Sequence, residues 1–212
     1  MLAIAAVAAS LAFMPAAAQP GSAGRPVKIV ALGDSLTAGL GLPADAALPA
    51  RLARALAQEG IAAEVVNAGV SGDTTADGLA RLDWSVPDDS DAVILELGAN
   101  DALRGLDPAR TRANLDAILR RLAARHIPVL LAGMRAPPNM GADYTKAFDA
   151  VYPDLAAVHG VIFYPFFLDG VAAERGLNQG DGIHPTAAGV DVIVAKILPR
   201  VEELIARVPA AR

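Results

Sequence analysis

Five short apolar runs divide this sequence, and each is followed by a polar turn and then by a segment with helical periodicity. The runs are almost continuously apolar rather than alternating, which is typical of strands buried on both faces of a parallel sheet. Strands that alternate with helices through right-handed crossovers pack as a three-layer α/β/α sandwich. We therefore predict this α/β fold, with five strands over residues 27–32, 63–67, 92–97, 128–133 and 161–164.

Three of the segments between or after these runs carry distinct helix signals. Asp107 is followed by a proline, the pattern of an N-cap with proline at the first helical position, and an apolar stripe comes after it. A second stripe over residues 148–158 predicts a helix with a kink at Pro153. A third, over residues 190–197, predicts a last helix that Pro199 should bend or break.

The first 18 residues are uncharged and apolar and end in small residues, which is typical of a secretory signal peptide. The apolar stretch is short for a membrane span, so we expect none in the mature protein and a periplasmic or secreted location. Because no basic region precedes the stretch, an uncleaved anchor and a disordered tail remain alternatives. The predicted organisation is a signal peptide over 1–18, a linker over 19–26, one domain over 27–206 and a tail over 207–212.

The charge and cysteine content exclude several classes of function. The net charge is -5 and no cluster of lysine or arginine occurs, so the chain has no electrostatic footprint for nucleic acid. The absence of cysteine excludes a disulfide framework, a thiolate zinc site and a cysteine nucleophile.

In an open parallel sheet, ligands bind at the carboxyl ends of the strands, so the turns after the predicted strands are the candidate site. The first three turns read GDSLTAG, NAGVSGDTT and GANDALRG, and they are rich in glycine and small polar residues. Such turns allow the backbone to approach a ligand closely. The fourth and fifth read MRAPPNMGADY and PFFLDG.

Ser35 lies in the first of these turns, where a serine on its own is most simply a helix N-cap. A neighbouring imidazole held by a carboxylate would make it a nucleophile. Of the three histidines, His126 and His159 come at the ends of helices just before strands, at the amino edge of the sheet, where they suit helix C-termini. His184 lies instead in the glycine-rich segment DGIHP, and Asp181 is close enough in a turn to fix its tautomer. These residues predict a serine, histidine and aspartate triad, with a histidine that merely caps the last helix as the structural alternative.

Acyl transfer also needs donors for the developing oxyanion. Gly72 and Asn100 follow the second and third strands, and with the N–H of Ser35 they form a plausible three-donor oxyanion hole. Taken separately, they would be a turn glycine and an Asx-turn residue. Asp34 and Asp101 are rival acids for the triad, although aspartates in such turns commonly bond to their own backbone.

The blocks GDSL, SGDT, GAND and DGIHP, in this order, resemble the four motifs of the SGNH, or GDSL, hydrolase superfamily. The segments VVNAGVSGDTTADGLARL, ELGANDALRGLDP and PFFLDG are similar to its bacterial thioesterase I, lysophospholipase and arylesterase branch, and the resemblance extends over residues 28–204. It implies a flavodoxin-like fold with strand order 2-1-3-4-5. It also implies a nucleophile at Ser35, oxyanion donors at Ser35, Gly72 and Asn100, and a base and acid at His184 and Asp181.

The resemblance further implies a small-molecule ester or thioester substrate, including aryl esters and lysophospholipids, with no metal and no cofactor. Apolar or flexible residues near the strand ends are candidates for the acyl groove, although each is often simple packing. They are Leu40, Leu42, Pro137, Pro138, Met140 and Tyr144. We therefore expect a serine esterase that forms an acyl-enzyme on Ser35. A carbohydrate O-deacetylase on the same scaffold and a non-catalytic binding module are the alternatives.

Overall fold

The computed structural model describes residues 25–209, in which five strands form a single parallel sheet in the order β2-β1-β3-β4-β5. This order agrees with the prediction, and every strand boundary lies within two residues of the predicted one. The predicted signal peptide, most of the linker and the last three residues of the tail lie outside the described residues. The strands are β1 (Val27–Gly33), β2 (Ala63–Gly69), β3 (Ala92–Glu96), β4 (Val129–Ala132) and β5 (Ile162–Tyr164).

Helices cover both faces of the sheet, which gives the predicted three layers. The helices of the described region are α1 (Ser35–Ala38), α2 (Leu48–Gln58), α3 (Thr75–Ala80), α4 (Leu82–Ser85), α5 (Ala99–Leu103), α6 (Pro108–Ala124), α7 (Ala142–Asp149), α8 (Val151–His159) and α9 (Ala187–Ala206). Helices α2 and α9 pack together on one face, and α3, α6, α7 and α8 pack on the other. Two short 3-10 helices occur at Ala44–Ala46 and Pro138–Met140. Over residues 25–209, none of the helices combines the length and apolar character needed to cross a membrane.

Burial differs between the central and edge strands. All residues of β3 and β4 are buried, as their continuous apolar sequence predicts. Strand β2 has no fully buried residue, and Glu64 and Asn67 are exposed, because it is an edge strand with a neighbour on one side only. The prediction of burial on both faces therefore holds for the centre of the sheet and is wrong for β2.

The prolines affect the helices differently from the prediction. Asp107 caps α6 as expected. The predicted kink at Pro153 is instead a break at Ala150, which separates α7 from α8 and leaves the proline in the first turn of α8. The reason is that a proline ring clashes with the carbonyl four residues earlier, here that of Asp149, so the helix cannot continue unchanged into α8. Helix α9 continues through Pro199 without a break.

Candidate active site

The turn after β1 presents Ser35 at the carboxyl edge of the sheet. The Leu36 N–H donates to Asp34 Oδ1 at 3.0 Å, so Asp34 is the N-cap of α1 and Ser35 is its first residue. The side chain of Ser35 is therefore not needed as a cap. The turn packs tightly, because a Cβ added to Gly33 would lie 2.1 Å from Thr37 Oγ1.

The three predicted triad residues form a continuous chain of hydrogen bonds. Ser35 Oγ lies 2.8 Å from His184 Nε2, and His184 Nδ1 lies 2.6 Å from Asp181 Oδ2. A carboxylate only accepts hydrogen bonds, so Nδ1 carries the proton and Nε2 accepts from the serine hydroxyl. In this arrangement the imidazole can remove the serine proton.

The carboxylate of Asp181 is held by its own loop. Its Oδ1 accepts from the backbone N–H of Ile183 at 2.9 Å and of His184 at 3.1 Å. These bonds, together with the one from the His184 ring, lower the pKa of Asp181 to about 2. Asp181 is thus ionised at neutral pH, and its side chain is 45% exposed, so water also solvates the charge.

The predicted oxyanion donors lie beside Ser35 in the wall of one cavity. Gly72 has a φ of +90°, which favours glycine. Within residues 25–209, the N–H groups of Ser35 and Gly72 donate to no protein acceptor, so both are available to a substrate oxygen. Asn100 lies in α5 rather than in an Asx turn, and its amide donates to the Asp73 carbonyl at 2.9 Å and to Asp34 Oδ2 at 3.2 Å.

The two rival acids have structural partners. Asp101 accepts from the Thr75 N–H at 2.8 Å, the Thr75 hydroxyl at 2.5 Å and the Thr111 hydroxyl at 3.1 Å, so it joins α3, α5 and α6. Asp34 caps α1 and accepts from Asn100. The described hydrogen bonds of His184 include neither carboxylate.

The sequence analysis did not predict a buried pair of carboxyl groups, Asp34 and Glu96, beneath the turn that carries Ser35. Glu96, the last residue of β3, is fully buried, and its Oε2 accepts from the Thr37 hydroxyl at 2.8 Å and more weakly from the Asp34 N–H at 3.4 Å. Its Oε1 has no partner among the described residues. Burial, followed by the nearby charge of Asp34, raises the pKa of Glu96 well above its ordinary value. Burial likewise raises the pKa of Asp34 to about 6. The available signal was one acid at the end of the apolar run AVILE.

A cavity of about 610 Å³ opens at Ser35 and extends along the carboxyl edge of the sheet. Of the six predicted groove residues, Leu40, Pro137 and Pro138 line it. The other three lie outside its lining: Leu42, Met140 and Tyr144. The Tyr144 hydroxyl donates to the Leu106 carbonyl at 2.8 Å, so it has a structural partner.

Most of the apolar wall comes from residues that the sequence analysis did not select. They follow β3, β4 and β5 or flank His184, and they include Leu103, Met134, Phe166, Leu168 and Ile183. Leu40, Leu103 and Ile183 are 46%, 50% and 42% exposed, so the mouth of the cavity is itself apolar. The motif PFFLDG after the fifth run was the signal that could have found two of them.

The other two histidines lie at the opposite edge of the sheet. His159 ends α8, and its Nε2 lies 2.7 Å from Asp116 Oδ1, so the ring contacts a carboxylate rather than the helix carbonyls. His126 follows α6, and its backbone N–H donates to the Ala123 carbonyl at 2.9 Å.

Comparison with known proteins identifies the family. Residues 31–192 match the sequence profile of the GDSL-like lipase/acylhydrolase family. The chain belongs to this family. The predicted resemblance to GDSL, or SGNH, hydrolases is therefore confirmed.

Relatives of this GDSL-family chain include enzymes from two bacteria. It is 41% identical to esterase TesA of Pseudomonas aeruginosa over 178 residues, which span 84% of this chain and 89% of that protein. It is 42% identical over 158 residues to thioesterase 1/protease 1/lysophospholipase L1 of Escherichia coli K12, or 74% of each chain.

Solved structures of the family share the fold. The crystal structure of TesA matches with a TM-score of 0.79 and 40% identity, covering 84% of this chain and 99% of that one. The SGNH-hydrolase family esterase AlinE4 matches with a TM-score of 0.73 and 49% identity, covering 89% of this chain and all of that one. The fold of this GDSL-family chain is thus that of SGNH hydrolases.

Proposed function

We propose that this GDSL-family serine esterase hydrolyses carboxylic esters and thioesters through an acyl-enzyme on Ser35. The observation that carries the proposal is the unbroken chain from Ser35 through His184 to Asp181, with distances of 2.8 and 2.6 Å, at the end of an apolar cavity. A serine that is only a structural cap needs no such imidazole.

In the proposed mechanism, His184 Nε2 takes the hydroxyl proton as Ser35 Oγ attacks the substrate carbonyl. Asp181 keeps the ring oriented and stabilises the imidazolium. His184 then protonates the leaving alcohol or thiol, which leaves the acyl group on the serine. Water repeats the sequence, with His184 first as base and then as acid, and releases the carboxylic acid.

The tetrahedral oxyanion is stabilised by the N–H groups of Ser35 and Gly72 and by the amide of Asn100, which exchanges its longer bond to Asp34 Oδ2, at 3.2 Å, for one to the oxyanion. These donors are preorganised, because Asn100 is anchored to the Asp73 carbonyl and the Gly72 carbonyl accepts from Arg104 Nη2 at 2.8 Å. Fixed donors need little reorganisation as the negative charge develops, which is the main way such a hole lowers the barrier.

The lining supports substrates with an apolar acyl or aryl portion. Relatives are named esterase, arylesterase and thioesterase/lysophospholipase, and we extend these classes to this chain: aryl esters, acyl thioesters and lysophospholipids. A carbohydrate O-deacetylase is not favoured, because a sugar substrate needs a polar crevice and this wall is mainly apolar.

We also propose that residues 1–18 are a signal peptide removed before Gln19 and that the enzyme acts in the periplasm or outside the cell. The linker over 19–26, the domain over 27–206 and the tail over 207–212 complete this organisation. The apolar sequence and small residues before the cleavage point support it. N-terminal sequencing of the protein from a bacterial periplasm should begin at Gln19.

The proposed nucleophile is tested by labelling with a fluorophosphonate and by turnover of p-nitrophenyl butyrate. Ser35→Ala should abolish labelling and lower kcat by at least about 10³-fold. Ser71 also lines the cavity, so Ser71→Ala is the matched control and should keep stoichiometric labelling. Wild-type turnover or labelling in the Ser35→Ala protein would refute the proposal.

A further inference from the structure

Arg135 introduces a positive charge into an otherwise apolar cavity wall. Among the described residues that line the cavity, Arg135 and His184 are the two with ionisable side chains. No aspartate or glutamate is among them. It follows β4 between Met134 and Ala136, both of which are buried, while Arg135 itself is exposed. The surrounding wall therefore does not neutralise its charge.

The guanidinium of Arg135 contacts an aromatic ring rather than a carboxylate. Its Cζ lies 4.8 Å from the centroid of the Phe166 ring, a cation–π contact. Across residues 25–209, no carboxylate lies within ion-pair distance of Arg135. Its charge helps to lower the pKa of Asp169, but that carboxylate is bonded to Lys196 at 2.8 Å. A guanidinium in contact with a ring rather than with a carboxylate can still donate its N–H groups to an oxyanion.

The backbone beside Arg135 is fixed, which makes its position reproducible. The Ala136 N–H donates to Asp149 Oδ1 at 2.9 Å, and this bond ties the segment after β4 to α7. Strand β4 is separated from β1 by β3 alone, so its end lies about 10 Å from the end of β1 across the sheet. Ser35 and Arg135 follow these two strands, and both line the cavity.

We propose that Arg135, stacked on Phe166, is a specificity-determining residue that binds a carboxylate or phosphate group of the substrate several atoms from the scissile carbonyl. The inference rests on the proposed esterase function and adds to it a preference for anionic esters over neutral ones. A planar guanidinium binds such groups through paired hydrogen bonds, whereas the rest of the wall binds the apolar part between the two ends. The net charge of -5 does not supply this preference, because it repels anions generally.

The experiment compares kcat/KM for p-nitrophenyl hemi-esters of adipate, suberate and sebacate with that for their neutral methyl-capped forms. Shorter diacids are omitted, because their own carboxylate cleaves the ester. For at least one chain length the wild type should have a higher kcat/KM for the anionic ester than for its neutral methyl-capped form. Arg135→Met should lower kcat/KM for that anionic ester by about 10-fold and change kcat/KM for the neutral form by less than about 3-fold. Arg135→Lys should be intermediate, since it keeps the charge and loses the planar fork. High salt should reduce the preference.

The matched control is Arg200→Met, which makes the same charge change on α9 at a residue paired with Glu203 and outside the cavity lining. It should leave the ratio of anionic to neutral kcat/KM unchanged. A second substrate pair, the butyryl esters of 4-hydroxybenzoate and of its methyl ester, places the anion on the leaving group. The pair whose preference is lost in Arg135→Met shows which part of the substrate faces Arg135.

The inference is overturned if Arg135→Met changes anionic and neutral esters equally in both pairs, since Arg135 would then only pack on Phe166. It is also overturned if Arg200→Met removes the preference as strongly as Arg135→Met. Failure of the proposed function has a different signature: the neutral esters would turn over equally well with and without Ser35.

Discussion

The carboxyl and amino edges of the sheet each hold a histidine bonded to an aspartate, at almost the same distance. At the carboxyl edge His184 contacts Asp181 through Nδ1 at 2.6 Å and faces Ser35 with Nε2. At the amino edge His159 contacts Asp116 through Nε2 at 2.7 Å, at the end of a helix. A histidine–aspartate pair is thus no sign of catalysis by itself. The two pairs differ in which ring nitrogen contacts the aspartate and in whether a serine hydroxyl lies beside the other ring nitrogen.

The carboxylates buried at the two edges of the sheet also differ in how far their charge is compensated by a cation. At the amino edge Asp91 accepts two bonds from the Arg25 guanidinium, each 2.7 Å long, and one from the Lys28 N–H at 2.8 Å. At the carboxyl edge Asp73 also pairs with an arginine, Arg81, at 2.6 Å, but neither Asp34 nor Glu96 is bonded to a lysine or arginine within residues 25–209. Asp91 is therefore compensated by a cation, whereas Asp34 and Glu96, beneath the turn that carries Ser35, are not. Poorly compensated groups of this kind are common at active sites, where stability is traded for function.

The largest expected contrast is between the two histidines. His184→Ala removes the proposed base and should lower kcat for p-nitrophenyl butyrate by about 10⁴-fold or more. His159→Ala should leave kcat within about 3-fold of the wild type, because His159 lies outside the cavity lining and loses only its hydrogen bond to Asp116. Equal losses in the two variants would contradict the division of roles between the edges.

Substitutions of the two aspartates, Asp181 and Asp116, should differ less in their effect on kcat. In Asp181→Asn the amide oxygen would keep the backbone bonds from Ile183 and His184, which directs the NH₂ group at Nδ1 and forces the wrong tautomer. We expect kcat to fall by about 10²- to 10³-fold, less than for a fully buried acid because water reaches this one. Asp116→Asn is the control and should keep kcat within about 3-fold. If Asp181→Asn kept full activity, Asp34 would be the better candidate for the acid that orients His184, and Asp34→Asn would test it.

The smallest effects concern stability and should have opposite signs at the two edges. Asp91→Asn weakens the paired, part-buried bonds at the amino edge and should lower the free energy of unfolding by about 1 kcal/mol. Glu96→Gln replaces a poorly compensated carboxyl by a neutral group of the same shape, and it should raise the free energy of unfolding by about 1 kcal/mol at pH 9. Urea unfolding followed by circular dichroism measures both.

The pH dependence gives the sign of the Glu96 effect. Folding raises the pKa of Glu96 and of Asp34, so their neutral forms favour the folded state at low pH. That contribution is complete below the unfolded pKa, 4.5 for Glu96, and is lost as the pH rises through the folded values. Wild-type stability should therefore decline with rising pH, and Glu96→Gln should flatten the decline. An unchanged slope would show that Glu96 does not titrate as inferred.

Features with local causes could be predicted from the sequence. Continuous apolar runs predicted the five strands, and Asp107 before a proline predicted the start of α6, because both depend on nearby residues. Choosing among three histidines by their position in the fold selected His184, which the structure brings to Ser35. The partial burial of β2 was missed, because edge position depends on strand order rather than on the sequence of the strand.

Features that depend on tertiary contacts could not be predicted. The capping role fell to Asp34 rather than Ser35, and the partners of Glu96 come from a different strand end. The cavity wall is mostly built from the turns after β4 and β5, where Arg135 and Phe166 meet only because their strands are neighbours. Apolar character alone does not distinguish such residues from packing residues such as Leu42.

The separation of the triad along the chain has a consequence for folding. Asp181 and His184 are three residues apart, so their bond forms within one loop at little cost in chain entropy. Ser35 and His184 are 149 residues apart, and their contact requires the turn after β1 and the start of α9 to be in place. Contacts of such long range are slow to form. Recovery of esterase activity during refolding should thus lag behind recovery of helical circular dichroism, so turnover reports the completed topology of the sheet.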